Sequence, residues 1–469
     1  MNEGEITRWL TNGNTWWRHA DWQRDDRDLR SLAASRLDYS PTPLEDIAPG
    51  GVYVVRGPRR VGKSLELKRT ISRLIQRGVA PRRIIHFACD ELSKGDLRRL
   101  VTAGRDTLTR NVSKPRYWFL DEITNVPDWP ATVKWLLDNT GFQDDCVVLT
   151  GSSARDLTEA QKNLAGRLGS AKNSNRLLLP MSFRAFCHAI GLSAVPATLT
   201  VRPKDFVSSV VEEAIYELQV WLDDLASAWE LYLRVGGFPR AVDDYLKHGD
   251  VREDFVQALW DVVAGEAVRR STTSAAQTQA LLTVLAKSLT SPVNMSNLAR
   301  QIGVESYHTA KARVDDLILA YLAWRCHQAG DHNLPNLDAQ SKFYFTDPLL
   351  ARLAHLRTDQ APEPDVSRLS EQQLGFALLR RIEEDEPSSF AEFTRLMYAK
   401  SARKEIDFIS PSFSAMGFEG KYVDKGWRQE ALTLQRRFNR GVLATRSVLD
   451  TSREIWAVPA GIIGWLLSD

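Results

Sequence analysis

Apolar positions in the first half of the chain fall into short runs and helically spaced stretches that alternate. VYVVRG is a short apolar run stopped by Gly57, and KSLELKRTISRLIQRG repeats its apolar residues at helical spacing before ending on Gly78. RRIIHFACDE and RYWFLDE are further apolar runs, each finishing in acids, and CVVLTGSS is another. Strands alternating with helices predict an α/β domain with a parallel sheet flanked by helices. Residues 1–49 are polar, tryptophan-rich and predicted helical, and they end in the loop SPTPLEDIAPGG.

From about residue 181 to 275 the pattern turns helical, with AIYELQVWLDDLASAWELYLRV running into a GGFP break. QALLTVLAKSL, MSNLARQIG and SYHTAKARVDDLILAYLAWRC then form three helical segments with short connections, which suits a winged helix-turn-helix. APEPDVSRLS reads as a linker. Beyond it the pattern predicts a helix, two short strands joined by a turn within 405–421, the helix RQEALTLQRRFNRG, and strands VLATRSV and EIWAVP.

Bulk properties narrow this picture. A chain of 469 residues exceeds a single core, and two to four domains are expected. Lys and Arg number 61 against 59 Asp and Glu, so any nucleic-acid surface has to be a local patch. Cys89, Cys146, Cys187 and Cys326 are far apart, with no CxxC pair. They read as reduced, mostly buried thiols of a cytoplasmic protein, and the dispersed histidines give no zinc spacing. MNEGEITRWLTNGNTWW lacks the basic leader and apolar run of a signal peptide. No apolar run approaches the roughly 20 residues of a membrane span.

GPRRVGKS at 57–64 matches G-x-x-x-x-G-K-[ST] between an apolar strand and a helix, the context a P-loop requires. Gly57, Pro58, Arg59, Arg60, Val61, Gly62, Lys63, Ser64 and Leu65 are therefore expected to bind ATP. Backbone N–H groups would wrap the phosphates, Lys63 would reach the β- and γ-phosphates, and Ser64 would bind Mg²⁺. In RYWFLDE, Asp121 is expected in the metal shell and Glu122 as the base that activates water. Thr150, Ser152 or Ser153 could sense the γ-phosphate; Ser152 is favoured, with a plain turn residue as the alternative. Arg167 in NLAGRL is a cation for the transferring phosphate, in its own subunit or a neighbour's, or else a surface arginine.

Near the C-terminus, EIDFISPSFSAMGFEGK carries Asp407 on one strand and the E-x-K pair Glu419 and Lys421 on the next. Residues two apart on a strand share a face, so Glu419 and Lys421 point together and Asp407 shares a face with Glu405. If the strands pair, Asp407 and Glu419 can chelate Mg²⁺ while Lys421 holds an attacking water near a phosphodiester. Exposed strand-end charges would give the same letters.

The order RGPRRVGKS, LDEITNVPDW, LTGSSARDL, LAGR and LPMSFRAF resembles a family of bacterial and archaeal AAA+-type ATPases related to STAND-like signalling ATPases. YLRVGGFPRAV, KFYFTDPLL, EIDFI and FEGK are similar to the same family, so the resemblance covers most of the chain beyond its first fifty residues. It implies a P-loop AAA+-type ATPase domain at 50–190, a helical lid at 191–275, a winged helix at 276–360 and a PD-(D/E)xK restriction-endonuclease-like domain at 361–469. The family also carries a glutamate on the first helix of that last domain, a turn after a glycine. In LGFALLRRIEEDE the matching position is Leu379, and Glu383 lies one turn later on the same face.

Two weaker signals remain. His308, Lys311 and Arg313 fall on or near the second helix of the winged-helix turn, where they could enter a DNA groove or serve a lid or oligomer contact. Trp16, Trp17 and Trp22, near Arg18 and Arg24, could stack on bases, but a helix packed on the ATPase sheet explains them better. Two functions are expected. One is an ATPase coupled to a DNA-directed nuclease-like domain in genome maintenance or defence. The other is a nucleotide-controlled switch or scaffold whose tail binds DNA or a protein without cutting. A nucleotide-dependent homo-oligomer fits either.

Overall fold

The computed structural model describes residues 2–108, 115–152, 164, 166–196, 199–268, 274–358, 361–385, 395–400 and 404–468. The chain divides into two compact units, Met1–Leu179 and Pro180–Asp469. Among the described residues no helix is long and apolar enough to cross a membrane.

The first unit is built on β1 (Val52–Arg56), β2 (Ile84–Ala88), β3 (Tyr117–Asp121), β4 (Cys146–Gly151) and β5 (Asn175–Leu177). They form one parallel sheet in the order β2-β3-β4-β1-β5. Strands β1, β3 and β4 are buried throughout, which is why they read as unbroken apolar runs rather than alternating ones. The order puts β4 between β1 and β3, so the ends of these three neighbouring strands meet at one edge of the sheet.

The N-terminal segment closes the exposed edge of β2. Trp16 and Trp17 both donate their indole N–H to the Ile84 carbonyl, at 3.1 and 2.8 Å. Asn14 exchanges two hydrogen bonds with the His86 backbone, at 2.9 and 2.7 Å. Trp22 is buried edge-on against Trp16. The tryptophans are therefore consumed in covering an edge strand, and their faces are not open to bases.

The second unit begins with helices, including Leu222–Val235, and continues with Ala275–Lys287, Met295–Gln301 and Tyr307–Leu319. The helix expected through AYLAWRC stops at Leu319. Tyr321 takes a left-handed φ of 60°, its carbonyl accepts from the Thr346 hydroxyl at 2.8 Å, and β6 (Ala323–Ala329) follows. Next come β7 (Pro335–Asn336), β8 (Lys342–Phe345), β9 (Met397–Lys400), β10 (Glu405–Ile409), β11 (Gly417–Gly420), β12 (Gly441–Thr445) and β13 (Ile455–Pro459).

β6 pairs antiparallel with β8 and parallel with β9, so one eight-stranded sheet runs from the β6/β8 hairpin into the C-terminal region. β9, β10 and β11 are antiparallel to one another in turn, and β11, β12 and β13 are parallel. The helix Val366–Asp385 begins inside the stretch expected as linker and packs on this sheet. A Cβ on Gly375 would meet the Phe408 ring at 2.5 Å, so glycine is what lets that helix approach β10. On Tyr307–Leu319, Lys311 pairs with Asp315 at 3.2 Å. Arg313 is buried and donates to Gln277, which removes it from any groove-facing surface.

Candidate functional sites

The first site lies where β1, β3 and β4 end. Gly57 has a φ of 149°, and a Cβ there would lie 1.8 Å from the Leu178 carbonyl oxygen. Gly62, at φ 101°, precedes the helix Lys63–Gln76 and has nothing within 4 Å of where a Cβ would stand. The space before that helix N-terminus is clear and its first N–H groups face it, a fit for a phosphate chain. Pro58 and Val61 are buried, Arg59 is half-buried, and Arg60 is exposed with a φ of 69°. Ser64 and Leu65 occupy the first turn of the helix.

The Lys63 ammonium donates to the Gly57 and Pro58 carbonyls, both at 3.0 Å, and stands 3.3 Å from Glu122 Oε1. Asp121 ends β3 buried, and Thr150 Oγ1 donates to its Oδ1 at 2.5 Å. The same Thr150 oxygen accepts the Glu122 N–H at 2.8 Å, holding Glu122 in a left-handed turn with φ 51°. Ser152 Oγ donates to Glu122 Oε2 at 3.2 Å and accepts from Arg59 Nε at 3.4 Å. Of the three hydroxyls singled out in the sequence, Thr150 positions both acids and Ser152 holds the glutamate; Ser153 lies outside the described residues. Asp90 is a third nearby acid, bonded to Asn125 at 3.0 Å, with its carboxyl pushed up by burial and by Glu122 and Asp121. Its signal was the acidic end of RRIIHFACDE.

Arg167 is placed elsewhere. Its Nε donates to Asp138 Oδ1 at 2.7 Å, and the next residue's carbonyl, Leu168 O, accepts from Val52 N at the start of β1. The P-loop follows the far end of β1, about 15 Å away at the rise of a five-residue strand. Arg167 therefore sits at the opposite edge of the sheet and does not reach its own P-loop.

The second site is in the C-terminal region. The antiparallel register Phe408↔Phe418 sets Asp407 opposite Glu419. Both are buried, and the Gly420 N–H donates to Asp407 Oδ2 at 3.0 Å. Lys421 Nζ stands 2.8 Å from Glu419 Oε1 and 3.8 Å from Asp407 Oδ2. Glu419 Oε2 is buried without a hydrogen-bond partner. The three residues singled out in the sequence thus converge.

Two more members were not foreseen. Glu371, on Val366–Asp385, accepts from the Tyr344 hydroxyl at 2.7 Å. A Cβ on Gly420 would stand 3.0 Å from Glu371 Cγ, so the glycine admits this glutamate to the strand. Lys342, the first residue of β8, places its ammonium 3.3 Å from Asp407 Oδ1, 3.5 Å from Glu371 Oε1 and 2.5 Å from Glu405 Oε1. The glutamate that this helix brings to the cluster is Glu371, one turn before Gly375. Leu379 is core, and Glu383 lies twelve residues on from Glu371, about 18 Å along the axis.

Burial, with Asp407 beside it, pushes the Glu371 carboxyl up to about 8. Burial and Asp407 raise Glu419 as well, against the pull of Lys421. Burial lowers Lys342, but Asp407, Glu371 and Glu405 outweigh it and hold the ammonium well above the ordinary lysine value. Among the described residues no three His, Cys, Asp or Glu side chains stand together as a ready-made metal site. Between these carboxylates lie the two ammonium groups. Asp407 and the orphaned Glu419 Oε2 nonetheless offer the hard oxygen donors that suit a Mg²⁺-sized ion.

Comparison with known proteins bears on the first site most directly. Residues 50–187 match the AAA domain family, and residues 226–361 match a domain of unknown function (DUF8612). An uncharacterized protein of Haemophilus influenzae is 25% identical over 316 residues, covering 65% of this chain and 69% of that protein. Among solved structures, the Walker-type ATPase paby2304 of Pyrococcus abyssi aligns with a TM-score of 0.40 at 14% identity, over 71% of this chain and 95% of its own. The ORC2 protein of Aeropyrum pernix, in its ADPNP–ADP complexes, aligns with a TM-score of 0.31 at 12% identity, over 68% and 91%. With its P-loop, paired acids and parallel sheet in one place, the segment 50–187 is an AAA-type ATPase domain.

Proposed function

We propose that the chain couples ATP hydrolysis in its first unit to a metal-dependent, DNA-directed nuclease-like site in its second, in genome maintenance or defence against foreign DNA. The observation that carries the second half is the convergence of Glu371, Asp407, Glu419 and Lys421 from one helix and two paired strands. The order helix, three antiparallel strands, helix, two parallel strands is that of a restriction-endonuclease-like core, and the three helices followed by the β6/β8 hairpin suit a winged helix.

At the P-loop, Lys63 would leave the Gly57 and Pro58 carbonyls and Glu122 to bind the β- and γ-phosphates. Glu122, still oriented by Ser152 and the Thr150 hydroxyl, would then take the proton from the attacking water. In the second unit Lys421, the more exposed lysine, would hold the water that attacks a phosphodiester. Mg²⁺ at both sites, held by Ser64 and Asp121 and by Asp407 and Glu419, would supply positive charge to the reacting phosphate oxygens.

Linear, circular and single-stranded DNA with Mg²⁺ or Mn²⁺, with and without ATP, tests the reading beside Asp407→Ala and Lys421→Ala. Metal-dependent cleavage lost in both variants is the expected result; no cleavage on any substrate while ATP is still hydrolysed would overturn the nuclease half. A second reading, a nucleotide-controlled switch whose tail binds without cutting, is favoured by the Lys342 ammonium among the carboxylates.

A further inference from the structure

The lysine that sequence reasoning missed is the most enclosed charged group of the second site. Lys342 has no exposed side-chain surface, whereas Lys421 is 29% exposed. Its ammonium touches three carboxylates from two elements: Glu371 on the helix, and Glu405 and Asp407 on β10. The Tyr398 ring, 5.3 Å away, covers another side. Lys342 belongs to β8, within the stretch 226–361 matched separately from the acids it contacts. β8 is tied to this place twice more, through Tyr344 OH to Glu371 and through Phe345 N–H to Gln372 Oε1 at 3.0 Å. An ammonium sealed from water is tolerated only where carboxylates replace its hydration. Here one of them, Asp407, is also a carboxylate that would hold a divalent ion, and an ammonium and a divalent cation compete for its oxygens.

We propose that Lys342 is the resident cation of this cluster: its ammonium holds Asp407, a carboxylate that a divalent ion would need, and metal enters only in competition with it. The proposal rests on reading the cluster as a metal site. It accounts for a buried ammonium held among the carboxylates of Glu371, Glu405 and Asp407, while Glu419 Oε2 stays without a hydrogen-bond partner. The hairpin that carries Lys342 then contributes a residue to the site, and moving β8 would change its metal affinity.

The test is Mn²⁺ binding to the full-length protein by calorimetry, without nucleotide, counting only the binding that Asp407→Asn removes. Lys342→Met keeps the chain length and removes the charge. A second variant, Lys342→Met with Glu405→Gln, removes the ammonium together with its nearest carboxylate, keeping the formal charge of the cluster and sparing the fold an unpaired acid. Mn²⁺ affinity at least tenfold tighter in either folded variant is expected. Affinity unchanged or weaker in both, beside clear binding by the parent, overturns the resident-cation role and leaves the metal reading intact. Absence of Asp407-dependent binding in the parent and in both variants overturns the metal reading itself.

Discussion

The P-loop and the C-terminal cluster each hold a buried lysine near carboxylates, and the two lysines are held differently. Lys63 rests on two carbonyl oxygens and one carboxylate, Glu122, which also bonds Ser152. The carbonyls are neutral acceptors, so a phosphate chain offers Lys63 a better partner than it leaves behind. Lys342 has three carboxylates and no exposure. Any ion that displaces it must match that attraction and leave an ammonium to be rehoused. One site is poised to exchange partners and the other is locked. A third buried group marks the limit of the comparison: Asp347, wholly buried, is held by the Gly237 and Leu349 N–H groups at 2.7 and 2.9 Å, with no cation paired to it among the described residues.

The widest separation of the two sites should come from Glu122→Gln. The variant loses the base and frees Lys63 from the carboxylate of Glu122, so ATP turnover should fall about 10²–10⁴-fold while nucleotide binding persists or tightens. Turnover assays with a fluorescent nucleotide titration check both halves. Near-normal turnover would remove Glu122 from the chemistry and make Lys63 as fixed as Lys342. Next in size is Asp407→Ala, which leaves Lys342 and Lys421 facing a lost partner. Stripping one member from a buried ion cluster costs about 3–5 kcal/mol, read as a lower urea midpoint of the second unit. A cost under about 1 kcal/mol, within the range of surface ion pairs, would mean the cluster is wet and not locked.

Asp347 supplies a pH test. Burial raises its carboxyl to about 7, with the two N–H groups opposing. The unfolded chain gives up this proton near the ordinary value of 3.8, the folded chain only near 7. Between those values the folded state binds more protons, so this residue's contribution falls as pH rises from about 4 to about 7 and is flat above. The loss is on the order of 4 kcal/mol, and Asp347→Asn should lack that slope in urea unfolding followed across the window. An unchanged slope would show that two N–H donors suffice to hold a charged carboxylate there.

Legibility from sequence follows how each site is assembled. The P-loop lies within eight consecutive residues, and its acids end apolar runs, so Lys63, Asp121 and Glu122 could be read directly. Asp407, Glu419 and Lys421 were legible because strand periodicity fixes faces and a short turn implies pairing. Glu371 and Lys342 were not, because no local pattern links a helix glutamate or a hairpin lysine to strands tens of residues away. The glycine of LGFALL clears the Phe408 ring, and the glutamate that reaches the cluster lies on the turn before it. The β6 strand was hidden for a different reason. LILAYLAWRC is apolar throughout, and only the left-handed turn at Tyr321 divides helix from strand.

The smallest effect is expected at Arg167, and it tests whether the P-loop site is complete in one chain. Arg167 is bonded to Asp138 at the edge of the sheet away from Lys63, so its removal should leave turnover of dilute protein within about twofold of the parent, far below the 10³-fold or more that a transferring-phosphate arginine supplies. The informative variable is protein concentration. If turnover of the parent rises steeply with concentration and that rise disappears in Arg167→Ala, the arginine serves a neighbouring subunit's ATP. The P-loop site would then be finished by a second copy of the chain, whereas the Lys342 cluster is assembled within one. If turnover per chain is independent of concentration in both proteins, Arg167 is a surface ion pair, and the cation opposite the γ-phosphate has to come from the loop itself, where Arg59 already reaches Ser152.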